Sequence, residues 1–276
     1  MIVKVVRRVR RRIRPGPRPR RRLPADTGAA AAPDPGQGPG LWDLLQQYIP
    51  NDHARQVNAS YYLKEVMSGP APPRRVLDLG CGNGNSVDLF RGYDAEIDWV
   101  GVDIEDSQEA RARRRTDAAF VTYDGAHVPF ADETFDLVYS RQVLEHVPDP
   151  GHHLREIARV LRTGGILIGS TSQLEPYHSM SYWNITPFGF VSLARGAGLD
   201  VHELRPGIDG ITLTLRAFLG RPPGFDVWWD EDSPLNSEID AWGRKTGRRA
   251  ALVNLRKLHT CGQYAFIATR EATADA

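Results

Sequence analysis

From residue 75 onward the chain alternates short apolar runs with stretches of helical periodicity, the pattern of a parallel sheet covered on both faces. The apolar runs predict strands over residues 75–79, 99–104, 119–123, 135–140, 165–170, 200–204 and 263–269. Between them, helices are predicted over 86–91, 107–115, 142–146, 153–161 and 187–197. Upstream, Asn51-Asp52 reads as the cap of a helix over 54–67, which Ser68-Gly69-Pro70 would end. Residues 205–260 separate the final two strands and far exceed the few residues a hairpin needs. They contain Trp228, Trp229 and a predicted helix from Ser237, and read as an inserted lobe or lid.

Charge divides the chain differently. Residues 1–24 hold eleven Lys or Arg and no acid; beyond them, 24 bases face 34 acids. An acidic folded part thus carries a basic arm. The arm's Arg, Pro, Ala and Gly cannot bury enough apolar surface to offset the entropy of ordering, so residues 1–40 are expected to be disordered. A helical cap over 41–70 and a main domain over 71–276, interrupted at about 205–260, complete the expected organisation. Such an arm can hold RNA or anionic lipid by charge alone, and its blander reading is a solvated extension. Arginines interrupt every apolar run before a secretory h-region could form. No apolar stretch approaches the roughly 18–20 residues of a membrane span. Cys81 and Cys261 form no C-x-x-C pair, so a disulfide framework is not expected and a reducing, cytoplasmic setting fits.

The most informative stretch is Val76-Leu77-Asp78-Leu79-Gly80-Cys81-Gly82-Asn83-Gly84. An apolar strand runs into three glycines at alternating positions, where the backbone can turn tightly and approach a ligand closely. The dinucleotide fingerprint would need Gly or Ala at position 85, where Asn85 stands; the spacing is G-x-G-x-G. Further along come Val100-Gly101-Val102-Asp103-Ile104, Tyr123-Asp124-Gly125-Ala126, Phe135-Asp136-Leu137-Val138-Tyr139-Ser140, Val143-Leu144-Glu145-His146-Val147 and Leu161-Arg162-Thr163-Gly164-Gly165.

In this order and spacing, over roughly residues 74–204, the motifs resemble those of class I S-adenosylmethionine-dependent methyltransferases. Within them the chain is similar to the small-molecule enzymes of the ubiquinone/menaquinone-methyltransferase type. It departs from that pattern at Thr163, where the family usually has proline. The resemblance implies a Rossmann-like α/β fold, with a mostly parallel seven-stranded sheet and helices on both faces. It implies S-adenosylmethionine as cofactor. Asp78, Gly80, Cys81, Gly82 and Gly84 would line its methionine and ribose side, and Asp103 its two ribose hydroxyls, since a carboxylate offers two acceptors. Asp124 would accept from the adenine amino group, Gly125 would leave room for the ring and Ile104 would pack on its face. Alone, Asp103 would read as a strand-end cap and Asp124 as part of an Asp-Gly turn. Cys81 reads as a small packing residue.

The acceptor side of this fold is built from the loops after strands four and five, the N-terminal helix and insertions. The loop after strand five combines Tyr177, Tyr182 and Trp183 with His178, a composition suited to a sugar or an aromatic ring. His178 is the candidate base for a hydroxyl acceptor, against the blander reading of a structural hydrogen-bonder. His146 reads as a pocket wall and Glu145 as an acid of open role. His152-His153 diverge on a helix, and no metal site is expected. Ser140-Arg141-Gln142-Val143 lacks the residues that base-amino methyltransferases place after strand four, and neither cysteine follows a proline. Nucleic-acid acceptors are therefore not expected. The expected activity is methyl transfer to a small molecule, on a hydroxyl of a saccharide, glycolipid precursor or secondary metabolite. C-methylation of a quinone-type ring, binding without turnover, and RNA methylation guided by the arm are the competing readings.

Overall fold

The computed structural model describes residues 40–272, so the basic arm and its expected disorder fall outside the described residues. The chain divides into a unit ending at Leu44 and a unit from Leu45 onward. The short helix α1 (Leu41–Leu45) stands at that boundary.

The second unit is built on one seven-stranded sheet of β1 (Arg75–Leu79), β2 (Asp98–Ile104), β3 (Ala119–Tyr123), β4 (Phe135–Arg141), β5 (Leu161–Ser172), β6 (Leu199–Pro206) and β7 (Gln263–Arg270). Their spatial order is β3-β2-β1-β4-β5-β7-β6. The first five strands pair in parallel, and β7 runs antiparallel to both β5 and β6. All seven predicted strands are present, because strands covered on both faces are apolar runs and stand out in sequence. Val76, Leu77 and Leu79 of β1 and Leu137 and Val138 of β4 are fully buried. The register pairs Leu79 with Val102 and Asp103 with Thr122. Three loops, beginning at Gly80, Glu105 and Asp124, thereby leave the same carboxyl edge of the sheet.

Helices α2 (Ser60–Met67), α3 (Ser86–Arg91), α4 (Gln108–Ala112), α5 (Pro150–Val160) and α6 (Pro187–Gly196) cover the sheet or connect its strands. Four of the expected helices differ from what is observed. The first begins at Ser60, because Asp52 does not cap a helix: its carboxylate takes two bonds from Arg205, at 3.0 and 2.9 Å. The backbone of residues 56 and 57 is likewise drawn away, Gln56 N to Asp232 and Val57 N to Pro206 O. The helix expected over 107–115 stops at Ala112, where Arg113 leaves it to reach the Gly82 carbonyl. The helix expected over 142–146 is a 3-10 turn, Leu144–His146, preceded by Gln142 in the left-handed region at φ 56°. Helix α5 begins three residues early, with Asp149 accepting from His152 N and Pro150 in its first turn.

Between β6 and β7 the chain forms α7 (Gly210–Phe218), a 3-10 segment (Pro223–Trp229), α8 (Pro234–Thr246) and α9 (Ala250–Leu258). The excursion closes at a hydrogen-bonded neck, with Gly207 N to Gln263 O at 2.8 Å and Gly262 N to Ile208 O at 2.7 Å. No helix among the described residues is long and apolar enough to cross a membrane.

Candidate functional site

At the carboxyl edge, Gly80 N and Cys81 N both donate to Val102 O, which seats the glycine loop beside the end of β2. Gly80, Gly82 and Gly84 all have positive φ. A Cβ on Gly80 would lie 2.2 Å from Val143 Cγ2, and one on Gly84 2.7 Å from Phe120 Cζ. The loop is therefore glycine by necessity, because its positive φ angles disfavour a side chain and a Cβ would collide with Val143 or Phe120. Asp103 is oriented by two backbone donors, Gly82 N to Oδ2 at 2.6 Å and Ile104 N to Oδ1 at 2.8 Å. Each carboxylate oxygen keeps a second lone pair, the acceptor pair that two vicinal hydroxyls require.

Asp78 is buried and its pKa is raised to about 7, chiefly by burial and in part by Asp103, while a hydrogen bond from Ser86 opposes the rise. A donor carrying an ammonium and a sulfonium brings positive charge to an edge whose buried acid has too little. This chemistry and the glycine cradle fit S-adenosylmethionine. Gly125 has φ 83°, and Ile104 Cγ2 lies 3.3 Å from where its Cβ would stand, so these two residues adjoin. Asp124 closes its own turn, accepting from Ala126 N, His127 N and the His127 ring, which hold its pKa well below the usual carboxylate range. Cys81 is buried, which pushes its thiol up to about 12 and leaves it inert as a nucleophile. Arg113, not singled out in sequence, clamps the loop: its guanidinium donates to Gly82 O at 2.8 and 2.6 Å and lies 4.0 Å over the Phe120 ring.

The loops after β4 and β5 meet beside this cradle. Val143 covers Gly80, and Gln142 N donates to Ser170 O. Tyr182 N and Trp183 N both donate to Glu145 O, and Trp183 Nε1 to Val147 O. The fully buried Glu145 carboxylate accepts from Thr171 Oγ1 and Ser172 Oγ, each at 3.0 Å. Burial raises its pKa to about 7. His146 and His178 stand edge to face, ring centroids 5.1 Å apart, and burial together with His178 lowers the His146 pKa. One ligand atom from each of Glu145, His146 and His178 lies within 4.8 Å of the others.

The predicted residues are thus partly brought together. His178 joins Glu145 and His146, which sequence had left as an acid of open role and a pocket wall. Tyr177, Tyr182 and Trp183 of the same loop are exposed, at 78%, 60% and 46% accessibility. The loop meets the insertion at α7, where Glu175, Tyr177 and His178 share a hollow with Leu213, Arg216 and Arg221. Trp229 lies elsewhere, beside Val57, Asn58, Arg141 and Ser170.

Residues 77–169 match the family model described as a methyltransferase domain. The chain is 36% identical over 193 residues to methyltransferase GfsG of Streptomyces halstedii, covering 63% of this chain and 67% of that protein. It is 34% identical over 140 residues to the 27-O-demethylrifamycin SV methyltransferase of Amycolatopsis mediterranei (strain S699), covering 46% of this chain and about half, 51%, of that enzyme. Over 201 residues it is 28% identical to the ubiquinone biosynthesis O-methyltransferase of Sodalis glossinidius (strain morsitans), covering 71% and 73% of the two chains. With the strand order, the glycine cradle and Asp103 in register, these likenesses establish that the chain belongs to the class I S-adenosylmethionine-dependent methyltransferases.

Proposed function

We propose that this methyltransferase acts on a hydroxyl of a small molecule, a saccharide, glycolipid precursor or secondary metabolite, in the cytoplasm. The observation that carries the reading is the group of Glu145, His146 and His178 beside the glycine cradle. A hydroxyl must lose its proton to become a methyl acceptor, whereas a neutral amine need not. An edge with polar groups able to handle a proton is what the oxygen reaction requires. Two of the relatives are named for oxygen acceptors, which supports the same atom.

The bound donor supplies a methyl carbon on a sulfonium, whose sulfur keeps the electron pair of the broken bond. The chain's own part is to hold both partners in line and exclude water. Asp103 and the loop of Gly80, Gly82 and Gly84 would hold the ribose and methionine side. Asp124, Gly125 and Ile104 would frame the adenine. The exposed Tyr177, Tyr182 and Trp183 would receive the acceptor, and His178 would activate its hydroxyl.

The test is His178→Ala, assayed on a panel of hydroxylated acceptors with donor binding followed by calorimetry. Turnover should fall about 10²–10⁴-fold, the usual contribution of a proton-handling group, with donor affinity unchanged. Full turnover in the variant would remove His178 from the chemistry and point to an amine or carbon acceptor. A collapse of donor binding would move this loop into the cofactor site.

A further inference from the structure

The surroundings of Glu145 hold more negative charge than the protein itself compensates. Its carboxylate is fully buried, and Thr171 and Ser172 are both neutral donors. Ser172 Oγ also lies 2.6 Å from Glu175 Oε2, so one hydroxyl proton faces two carboxylates. Gln142, with its amide turned, adds a neutral donor 2.8 Å from Glu145 Oε1, and Gln263 Nε2 donates to Glu175 at 2.7 Å. Neither carboxylate is ion-paired to a lysine or arginine among the described residues; the nearest basic group to Glu175 is His178, at 3.8 Å. Burying a carboxylate without a counter-charge is costly, and such groups are paired, protonated or bound to a metal.

The geometry points to a divalent transition-metal ion, of the zinc or manganese class, held by Glu145, His146 and His178, with its open position facing the acceptor hydroxyl. The donor set fits such an ion. Two imidazole nitrogens and one carboxylate oxygen are ligands of intermediate softness, and three protein ligands leave room for a substrate oxygen. Glu145 and His146 come from the loop after β4 and His178 from the loop after β5, and the two loops are tied by Tyr182 N and Trp183 N on Glu145 O. The two loops are thus held together without an ion, with one ligand atom from each residue within 4.8 Å of the others. His178 Nδ1 lies 3.1 Å from Pro176 O, a backbone carbonyl of the kind that commonly orients a metal-bound histidine, with the Glu175 carboxylate farther off at 3.8 Å.

The site also lies where the reaction needs it. Val143, two residues before Glu145, covers Gly80 of the donor loop. An acceptor hydroxyl on the ion would become far more acidic, as water does on zinc. Its O–H proton would pass to Glu175 and then to solvent, leaving the oxygen lone pair free for the methyl carbon. The inference rests on the hydroxyl reading above, but the ion can be tested without any acceptor.

The full-length protein, stripped with a chelator and dialysed, would be titrated with zinc chloride and with manganese chloride in a calorimeter. One ion per chain is expected, bound with micromolar or tighter affinity. His178→Ala and Glu145→Gln should each weaken binding at least tenfold. Unchanged circular dichroism and donor affinity would show that the variants are folded; His178→Ala, on a half-exposed loop, serves if Glu145→Gln is not. In the panel assay, stripping should lower turnover at least a hundredfold, with recovery on adding the ion and no change in donor affinity. Absence of stoichiometric binding overturns the proposal, as does equal binding by wild type and both variants. Turnover that survives stripping but is lost in His178→Ala also overturns it, while leaving the hydroxyl reading intact with His178 acting alone.

Discussion

A single buried histidine shows how a residue can be placed for packing and still govern behaviour in acid. His153 on α5 is 1% exposed, and neither ring nitrogen has a hydrogen-bond partner among the described residues. Burial, with His152 adding repulsion and Glu156 opposing it, lowers its pKa to about 4 from 6.5. Between those values the unfolded chain holds a proton on this residue that the folded chain does not. Stability from this group therefore falls as pH drops from about 6.5 toward 4, and changes little outside that window. Replacing the ring with an apolar side chain of similar bulk removes two unsatisfied polar atoms and the titration together. Urea midpoints of wild type and His153→Leu at pH 7.5 and pH 5 should show a smaller acid loss in the variant. Equal losses would assign the acid sensitivity to other groups. Adjacency alone says that His152 and His153 point apart on a helix, not which ring lies inside. Asp103 was legible because it ends an apolar strand in register behind a glycine loop. Glu145, His146 and His178 were not legible as a group, since their proximity depends on how two loops fold over one sheet edge.

At the scale of elements, strands were easier to read than helices. A parallel strand buried on both faces is a continuous apolar run, and β1 and β3 have the bounds expected. Helix ends depend on where polar groups find partners, which sequence does not show. Asp52 served Arg205 and Arg113 served Gly82, so two helices were shorter than their periodicity implied. The most exacting junction is Gly80, where β1 meets the turn after β4. Its φ is 81°, and an added Cβ would lie 2.2 Å from Val143 Cγ2, a contact that something must relieve. Gly80→Ala should displace either the donor loop or the turn that leads to Glu145. Donor affinity measured by calorimetry should drop at least tenfold, about 1.4 kcal/mol. Melting should shift less than for a comparable change in β1, because the loop is not itself core. Wild-type affinity would mean that Val143 moves aside at little cost and that the cradle is looser than its packing indicates.

On the scale of the whole second unit, the long excursion between β6 and β7 is tied to a segment that precedes the sheet in sequence. Gln56 alone contacts Asp232, Trp228, Ser233 and Asn236, and Asn254 donates to the carbonyls of Pro50 and His53. At the centre of this tie is Lys257, with a fully buried side chain, which donates to Ala54 O at 2.5 Å and Asp240 at 2.8 Å and lies 3.3 Å from Asp232. Buried ion pairs add little when intact, but removing one partner leaves a charge without compensation. Asp240 already has a pKa raised by burial, opposed by Lys257, so losing the lysine would push it higher still. Lys257→Met keeps the length of the side chain and removes its charge. It should cost about 3 kcal/mol, the lower end for a broken buried pair, because Asp232 keeps about a third of its exposure. Adding Asp240→Asn should recover part of that loss by removing the stranded carboxylate. Donor affinity should stay at the wild-type value in both variants, since the donor loop rests on β1, β2 and Arg113 and not on this tie. Urea unfolding with calorimetric donor titration reads both quantities. A loss below 1 kcal/mol would mean that Gln56 and Asn254 hold the segment without the lysine. A loss of donor affinity would mean that the excursion and the cradle are coupled through the sheet.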